Sequence, residues 1–289
     1  MDRRTFLTAM LAAPAAAGAS FAATPPPGPV PAPSAPSLAR TAISAPRALK
    51  GAAHGGDDAL ALRQIRSLNA NWYYSWGSAY TVTTNPAFVP MVWSANALLR
   101  KDALGDVARQ LPQTRTRHLL AFNEPDHPGQ ASMSVDEAIR LWPHLQSTGL
   151  RLGSPATVGV RSPWLDQFMA RARKANLRVD FMTMHSYGSP NPESFLAKVW
   201  YLHHRYGRPV WVTEFAVADW SATPAHPSKY TTREIAYFMQ VAVAGMRVMP
   251  FVERFAWKSR EPSDPAMGPS ALYKTNGQLT SLGRLYASL

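Results

Sequence analysis

Residues 118–125 read HLLAFNEP and residues 209–215 read PVWVTEF. In each, a short run of mostly apolar residues ends at a glutamate, Glu124 or Glu214. Runs of this length read as strands, and strands apolar on both faces belong to buried parallel sheets. Working outward, six further runs of the same kind stand at LKGAA (49–53), NWYYSWG (71–77), FVPMVW (88–93), RLGSPA (151–156), FMTMHSY (181–187) and RFAWKS (254–259). Longer amphipathic stretches separate them. Eight strands alternating with helices over about 240 residues predict a single-domain α/β fold, the (β/α)8 TIM barrel.

The helices carry their own start and stop signals. Ser134 with Glu137 and Thr231 with Glu234 match capping boxes, Ser162 precedes Pro163 at a first helical position, and Gly207 suits a helix end. An open doubly wound sheet is the alternative architecture. It loses ground because no G-x-G-x-x-G follows a candidate strand and no phosphate loop is present. Cofactor-dependent chemistry is therefore not expected.

Residues 1–23 combine Arg3 and Arg4 with an apolar stretch too short to span a bilayer and small residues suited to cleavage. They look like a twin-arginine export signal, which predicts a bacterial protein of the periplasm or the extracellular space. Residues 24–48 follow as a Pro-rich linker, with eight prolines between 24 and 47 and little to bury in a core. The catalytic domain is expected over 49–289. The absence of cysteine removes disulfides, thiolate metal sites and thiol nucleophiles.

The formal net charge is +12, of which residues 1–50 carry +4. The remaining excess is dispersed, with no dense basic run, so a nucleic-acid partner is not expected. The mature chain offers no membrane span, and a monomer is the expectation.

In a parallel barrel the active site lies at the C-terminal ends of the strands. Glu124 closes the fourth strand and Glu214 the seventh, ninety positions apart. Two carboxylates facing one cleft suit glycoside hydrolysis, in which one acts as acid and the other attacks the anomeric carbon or activates water. Taken alone, each glutamate reads better as the partner of an arginine or the cap of a helix. Their company favours chemistry, because aromatics crowd the same rim: Tyr74, Trp76, Trp93, Tyr187, Trp220 and Trp257 are candidate sugar platforms. Strand alternation puts Trp72, Tyr74 and Trp76 on one face and Tyr73 on the other. His185 shares a face with Tyr187 and could bond the attacking carboxylate or a sugar hydroxyl. No metal is expected, since no H-E-x-x-H or His-carboxylate cluster has ligand spacing. The absence of a G-x-S-x-G elbow argues against a serine nucleophile.

These residues resemble glycoside hydrolases of the barrel clan that place Asn-Glu after strand four and Glu after strand seven. The longer set NWYYSWG, FVPMVW, LLAFNEPD, LGSPA, DFMTMHSYG, PVWVTEFAVADW and RFAWKS resembles glycoside hydrolase family 128 across the whole folded domain. That resemblance implies a retaining endo-β-1,3-glucanase, with Glu124 as acid/base, Glu214 as nucleophile, Asn123 holding the sugar 2-hydroxyl and a β-glucan as substrate. Two positions depart from the pattern. LKGAA replaces a stronger first strand with an Arg-Gly pair, and Lys258 stands after Trp257 where an apolar or aromatic residue is expected. Lys258 raises the alternative of an acidic exopolysaccharide as substrate. A carbohydrate-binding barrel without catalysis is the other alternative, against which both glutamates speak.

Overall fold

The computed structural model describes residues 48–56 and 58–289. The expected export signal and almost all of the expected linker lie outside the described residues. In chain order the strands are β1 (Leu49–Ala53), β2 (Trp72–Tyr74), β3 (Ala87–Phe88), β4 (Met91–Val92), β5 (His118–Asn123), β6 (Arg151–Ala156), β7 (Met182–Gly188), β8 (Val210–Val217) and β9 (Val252–Lys258). All neighbouring pairs are parallel. One run of the sheet is ordered β3-β2-β1-β9-β8-β7 and the other β4-β5-β6. The ring continues across both gaps. Gly153 bridges Phe181 between β6 and β7, and at the β3–β4 break the Met91 amide donates to the Gly77 carbonyl at 2.8 Å, tying β4 to the segment that follows β2. The result is the expected (β/α)8 barrel.

The third stave is the one that departs from the simple pattern. FVPMVW is two short strands, β3 bonded to β2 and β4 bonded to β5. Pro90 lies between them and has no N–H to donate to a ladder, so pairing is interrupted there.

The barrel interior is filled by rings. Trp72, Tyr74, Phe181 and Trp211 are fully buried and pack with Met91 and Leu120. Phe181 stacks on Trp211 with centroids 4.2 Å apart, and Trp211 meets Trp72 at 5.4 Å. Gly51 in β1 makes room for this packing, because a Cβ there would lie 2.3 Å from the Trp72 indole. Tyr73 points the other way, into the layer between strands and helices, as alternation requires.

Around the staves lie α1 (Ala59–Ser67), α2 (Ala95–Arg100), α3 (Ala103–Thr114), α4 (Val135–Gln146), α5 (Pro163–Lys174), α6 (Pro192–Tyr206), α7 (Thr232–Val248) and α8 (Ser281–Ser288). Their apolar faces close two outer clusters, one around Trp142 and Phe168, the other around Phe195, Phe215 and Phe238. Thr231 and Glu234 form a complete capping box on α7, and Gly207 ends α6 at φ +64. Ser134 accepts from the Glu137 amide at the start of α4. Ser162 makes no cap bond; its hydroxyl donates to Asp126 at 2.9 Å instead.

The weak first strand is anchored from outside. Lys50 is buried and donates to the carbonyls of Tyr286 and Ala287, both at 2.8 Å, so the ammonium sits at the C-terminal end of α8, where the helix dipole is negative. Burial and the nearby Arg247 lower its pKa to about 8. Among the described residues no helix is long and apolar enough to cross a membrane.

Candidate active site

Both glutamates open into one cavity of about 580 Å³ at the C-terminal rim. Glu124 follows the last residue of β5 and lies at φ +44, with Phe122 at φ +32. Non-glycine residues rarely adopt positive φ, and each such position costs on the order of 1–3 kcal/mol. The turn is fixed by hydrogen bonds: the Glu124 amide donates to the Ala156 carbonyl at 2.7 Å and the Asn123 amide to the Trp93 carbonyl at 2.9 Å. Phe122 packs outward against Trp142 while the Glu124 carboxyl faces the cavity.

Glu214 lies within β8 and is only 5% exposed. Its Oε1 accepts from the Tyr74 hydroxyl at 2.7 Å and from the Trp76 indole N–H at 2.8 Å, and its Oε2 accepts from the Tyr187 hydroxyl. Trp76 reaches it through a backbone at φ +61, just beyond the end of β2. Burial by itself would raise the Glu214 pKa. The His185 imidazole and the three donors outweigh it and hold the carboxyl below its ordinary value.

His185 connects the two acids. It is opposite Glu214 in the β7–β8 register. Its Nδ1 lies 2.7 Å from Glu124 Oε1 and its Nε2 lies 3.2 Å from Glu214 Oε1, the second contact lacking hydrogen-bond alignment. Burial would lower the pKa of this imidazole, but the Glu214 charge and the Glu124 bond raise it overall. The two carboxylates thus favour the charged form of this imidazole more than water does. Tyr74 and Tyr187 have pKa values well above the usual phenol range, first from burial and then from the adjacent Glu214 anion. They remain donors.

The sequence candidates divide into three groups. Trp76, Trp93, Asn123, Tyr187 and Trp220 line the cavity with the two glutamates. Tyr74 and His185 are fully buried behind it and touch the carboxylates rather than open space. Trp257 corrects the expectation of a cleft platform. It is 1% exposed, packs edge-on against Phe215 at 4.9 Å and donates to the Ser270 carbonyl, on the helix side of β9. Alternation along the strand then turns Lys258 toward the cavity.

Sequence reasoning missed His127, Gln130, Val158 and Arg260, which also line the cavity. Gln130 accepts from Asn123 Nδ2 at 3.1 Å and fixes that amide, whose Oδ1 is buried without a protein partner. His127 and Gln130 have only their nearness to Glu124 as a sequence signal, and Val158 and Arg260 only their place just after a strand. Asp126 accepts from the Val158 amide and the Ser162 hydroxyl, and Asp219 from Ser221 and Lys229, so both brace loops. Among the described residues no group of three or more His, Asp or Glu is arranged to hold a metal ion.

A second cavity, about 590 Å³, adjoins the first and shares Trp76, Lys258 and Arg260 with it. Together they make a trough that continues past the carboxylates.

The family model for the glycosyl hydrolase catalytic core matches residues 51–286. A GH128 subgroup I endo-β-1,3-glucanase from Amycolatopsis mediterranei, solved with laminaripentaose, is 34% identical and superposes with a TM-score of 0.72 over 83% of this chain and 98% of that one. A GH128 subgroup III curdlan-specific exo-β-1,3-glucanase from Blastomyces gilchristii, solved with glucose, is 25% identical with a TM-score of 0.66, over 83% and 98% of the two chains. Alkali-sensitive linkage protein 1 of Schizosaccharomyces pombe is 27% identical over 230 residues, 75% of this chain; the match spans only 40% of that relative's length. The rim geometry and these matches agree that the chain belongs to the glycosyl hydrolase catalytic core family and, within it, to glycoside hydrolase family 128.

Proposed function

We propose that this protein is an exported, retaining endo-β-1,3-glucanase in which Glu124 is the acid/base and Glu214 the nucleophile. One observation carries the reading: a single cavity holds both carboxylates, and the deeper one is favoured as the anion by His185 and three neutral donors, with no arginine or lysine paired to it. Glu124 delivers a proton to the glycosidic oxygen as Glu214 attacks the anomeric carbon. The C–O bond to the leaving sugar breaks and a glycosyl ester forms on Glu214. Glu124, now a carboxylate, takes a proton from water, which attacks the same carbon and releases Glu214.

The surrounding residues suit these steps. Tyr74, Trp76 and Tyr187 orient the Glu214 oxygens without neutralising them. His185 gives the two acids a shared proton-bearing neighbour. Asn123, with its amide fixed by Gln130, suits the holding of a sugar hydroxyl, and Trp93 and Trp220 in the cavity wall suit stacking on sugar rings. The continuation of the cavity past the dyad, through Trp76, Lys258 and Arg260, supports internal cleavage of a long chain. Export is supported by the twin arginines and the short apolar stretch that follows them.

The test is product analysis on laminarin and curdlan. Early appearance of mixed oligosaccharides supports endo action. Release of glucose alone points to the exo mode, and binding without any product points to a carbohydrate-binding barrel.

A further inference from the structure

Lys258 departs from the sequence pattern, and the proposed reaction gives it no role. It ends β9 in the wall common to the two cavities. Its Nζ lies 4.4 Å from the centroid of the Trp76 ring and donates to the Ser259 carbonyl at 3.2 Å. An ammonium carries three protons, so this accounts for only part of its donor capacity. It is in no ion pair among the described residues, whereas its neighbour Arg260 is committed to Asp264 at 3.0 Å.

Burial lowers the pKa of Lys258, with the charge of Glu214 acting in the opposite sense. Glu214 does not need this cation, since it is already supplied by His185 and three neutral donors. A partly desolvated ammonium without an ion-pair partner is an unfavourable arrangement unless a ligand supplies the anion. A neutral glucan offers only hydroxyls. The dispersed positive charge of the folded region also favours approach of an anionic chain.

We propose that the junction of the two cavities, where Lys258 stands over Trp76, binds a carboxylate carried by the glucan, so that the trough selects an acidic β-glucan over a neutral one. The inference rests on the β-glucan reading above. The carboxylate accepts hydrogen bonds from the free protons of Lys258 while Trp76 packs on the same sugar residue.

The experiment is calorimetric binding to the full chain carrying Glu124→Gln, which blocks turnover without touching Lys258. Its ligands are laminarihexaose and the same oligosaccharide bearing carboxymethyl groups. The carboxylated chain should bind about tenfold or more tightly at low salt, and the advantage should shrink on raising ionic strength. Adding Lys258→Met or, as a second variant, Lys258→Gln should erase the gap between the two ligands, while Arg260→Gln should leave most of it. Equal binding of both ligands, or a gap that survives both Lys258 variants, overturns the inference and leaves the glucan reading standing. Binding of neither ligand contradicts both.

Discussion

The two ends of the barrel use nearly the same residue types for opposite purposes. At the N-terminal end, Glu253 accepts two hydrogen bonds from Arg151, at 3.0 and 3.1 Å, and one from Trp211 at 2.7 Å. Arg254 lies 4.3 Å over the Trp211 ring, and burial together with Arg254 and Arg151 lowers the His118 pKa to about 4. At the C-terminal end, Glu214 is held by two tyrosines and a tryptophan, and His185 has a raised pKa. A carboxylate paired with a guanidinium has its charge answered and its lone pairs occupied, which makes it a brace. A carboxylate held by His185 and three neutral donors, with no guanidinium forked onto its oxygens, keeps its charge and can attack. The contrast therefore lies in the bidentate arginine and the cavity, not in the presence of Glu, His and aromatics.

That contrast can be broken most severely at the rim. Glu214→Gln should reduce laminarin hydrolysis by at least about a thousandfold, and Glu124→Gln by about a hundred- to ten-thousandfold, with circular dichroism and melting temperature close to the parent. Retained turnover in either variant would erase the distinction. Glu253→Gln should do the reverse. It should cost about 1–2 kcal/mol of stability in denaturant melts, because Arg151 and Trp211 lose an anionic acceptor, while kcat per folded molecule is preserved.

Tyr187→Phe removes one of the donors that keep the Glu214 pKa low. The Glu214 pKa should then rise, so the acid limb of the kcat/KM profile should move to higher pH. An unmoved acid limb would show that the limb belongs to another group.

The smallest effect concerns Lys50, outside both ends. Its folded pKa of about 8 lies below its ordinary value of 10.5. Above pH 8 the unfolded chain binds more protons at this position than the folded one, so stability should rise with pH until tyrosine ionisation near 10 intervenes. Lys50→Met should flatten this rise in melts between pH 8 and 9.5.

The barrel was legible because its periodicity is strong and its catalytic-end glutamates close apolar runs. Glu124 and Glu214 share a rim only because they stand three positions apart around a closed ring of parallel staves, with β6 and β7 between them. The break at Pro90 was visible as a residue, but its consequence was not: β3 and β4 bond to different neighbours. Parity decided the error at Trp257. Moving a strand's facing by one residue exchanges every side chain between cleft and helices, so the cleft received Lys258 instead. His127 and Gln130 lie in a loop without periodicity, and only the folded turn after Glu124 brings them to the cavity. The buried His185 link between the acids depends on a register irregularity between Met184 and His185 that no local pattern announces.

The central claim, that Glu214 is the nucleophile and Glu124 its acid/base partner, is tested most directly by trapping the intermediate. Incubation with a 2-deoxy-2-fluoro β-laminaribioside bearing a good leaving group, followed by peptide mass spectrometry, should locate a glycosyl adduct on Glu214, with none formed in Glu214→Gln. An adduct on Glu124 or another residue, or product released with inverted anomeric configuration, would contradict the account.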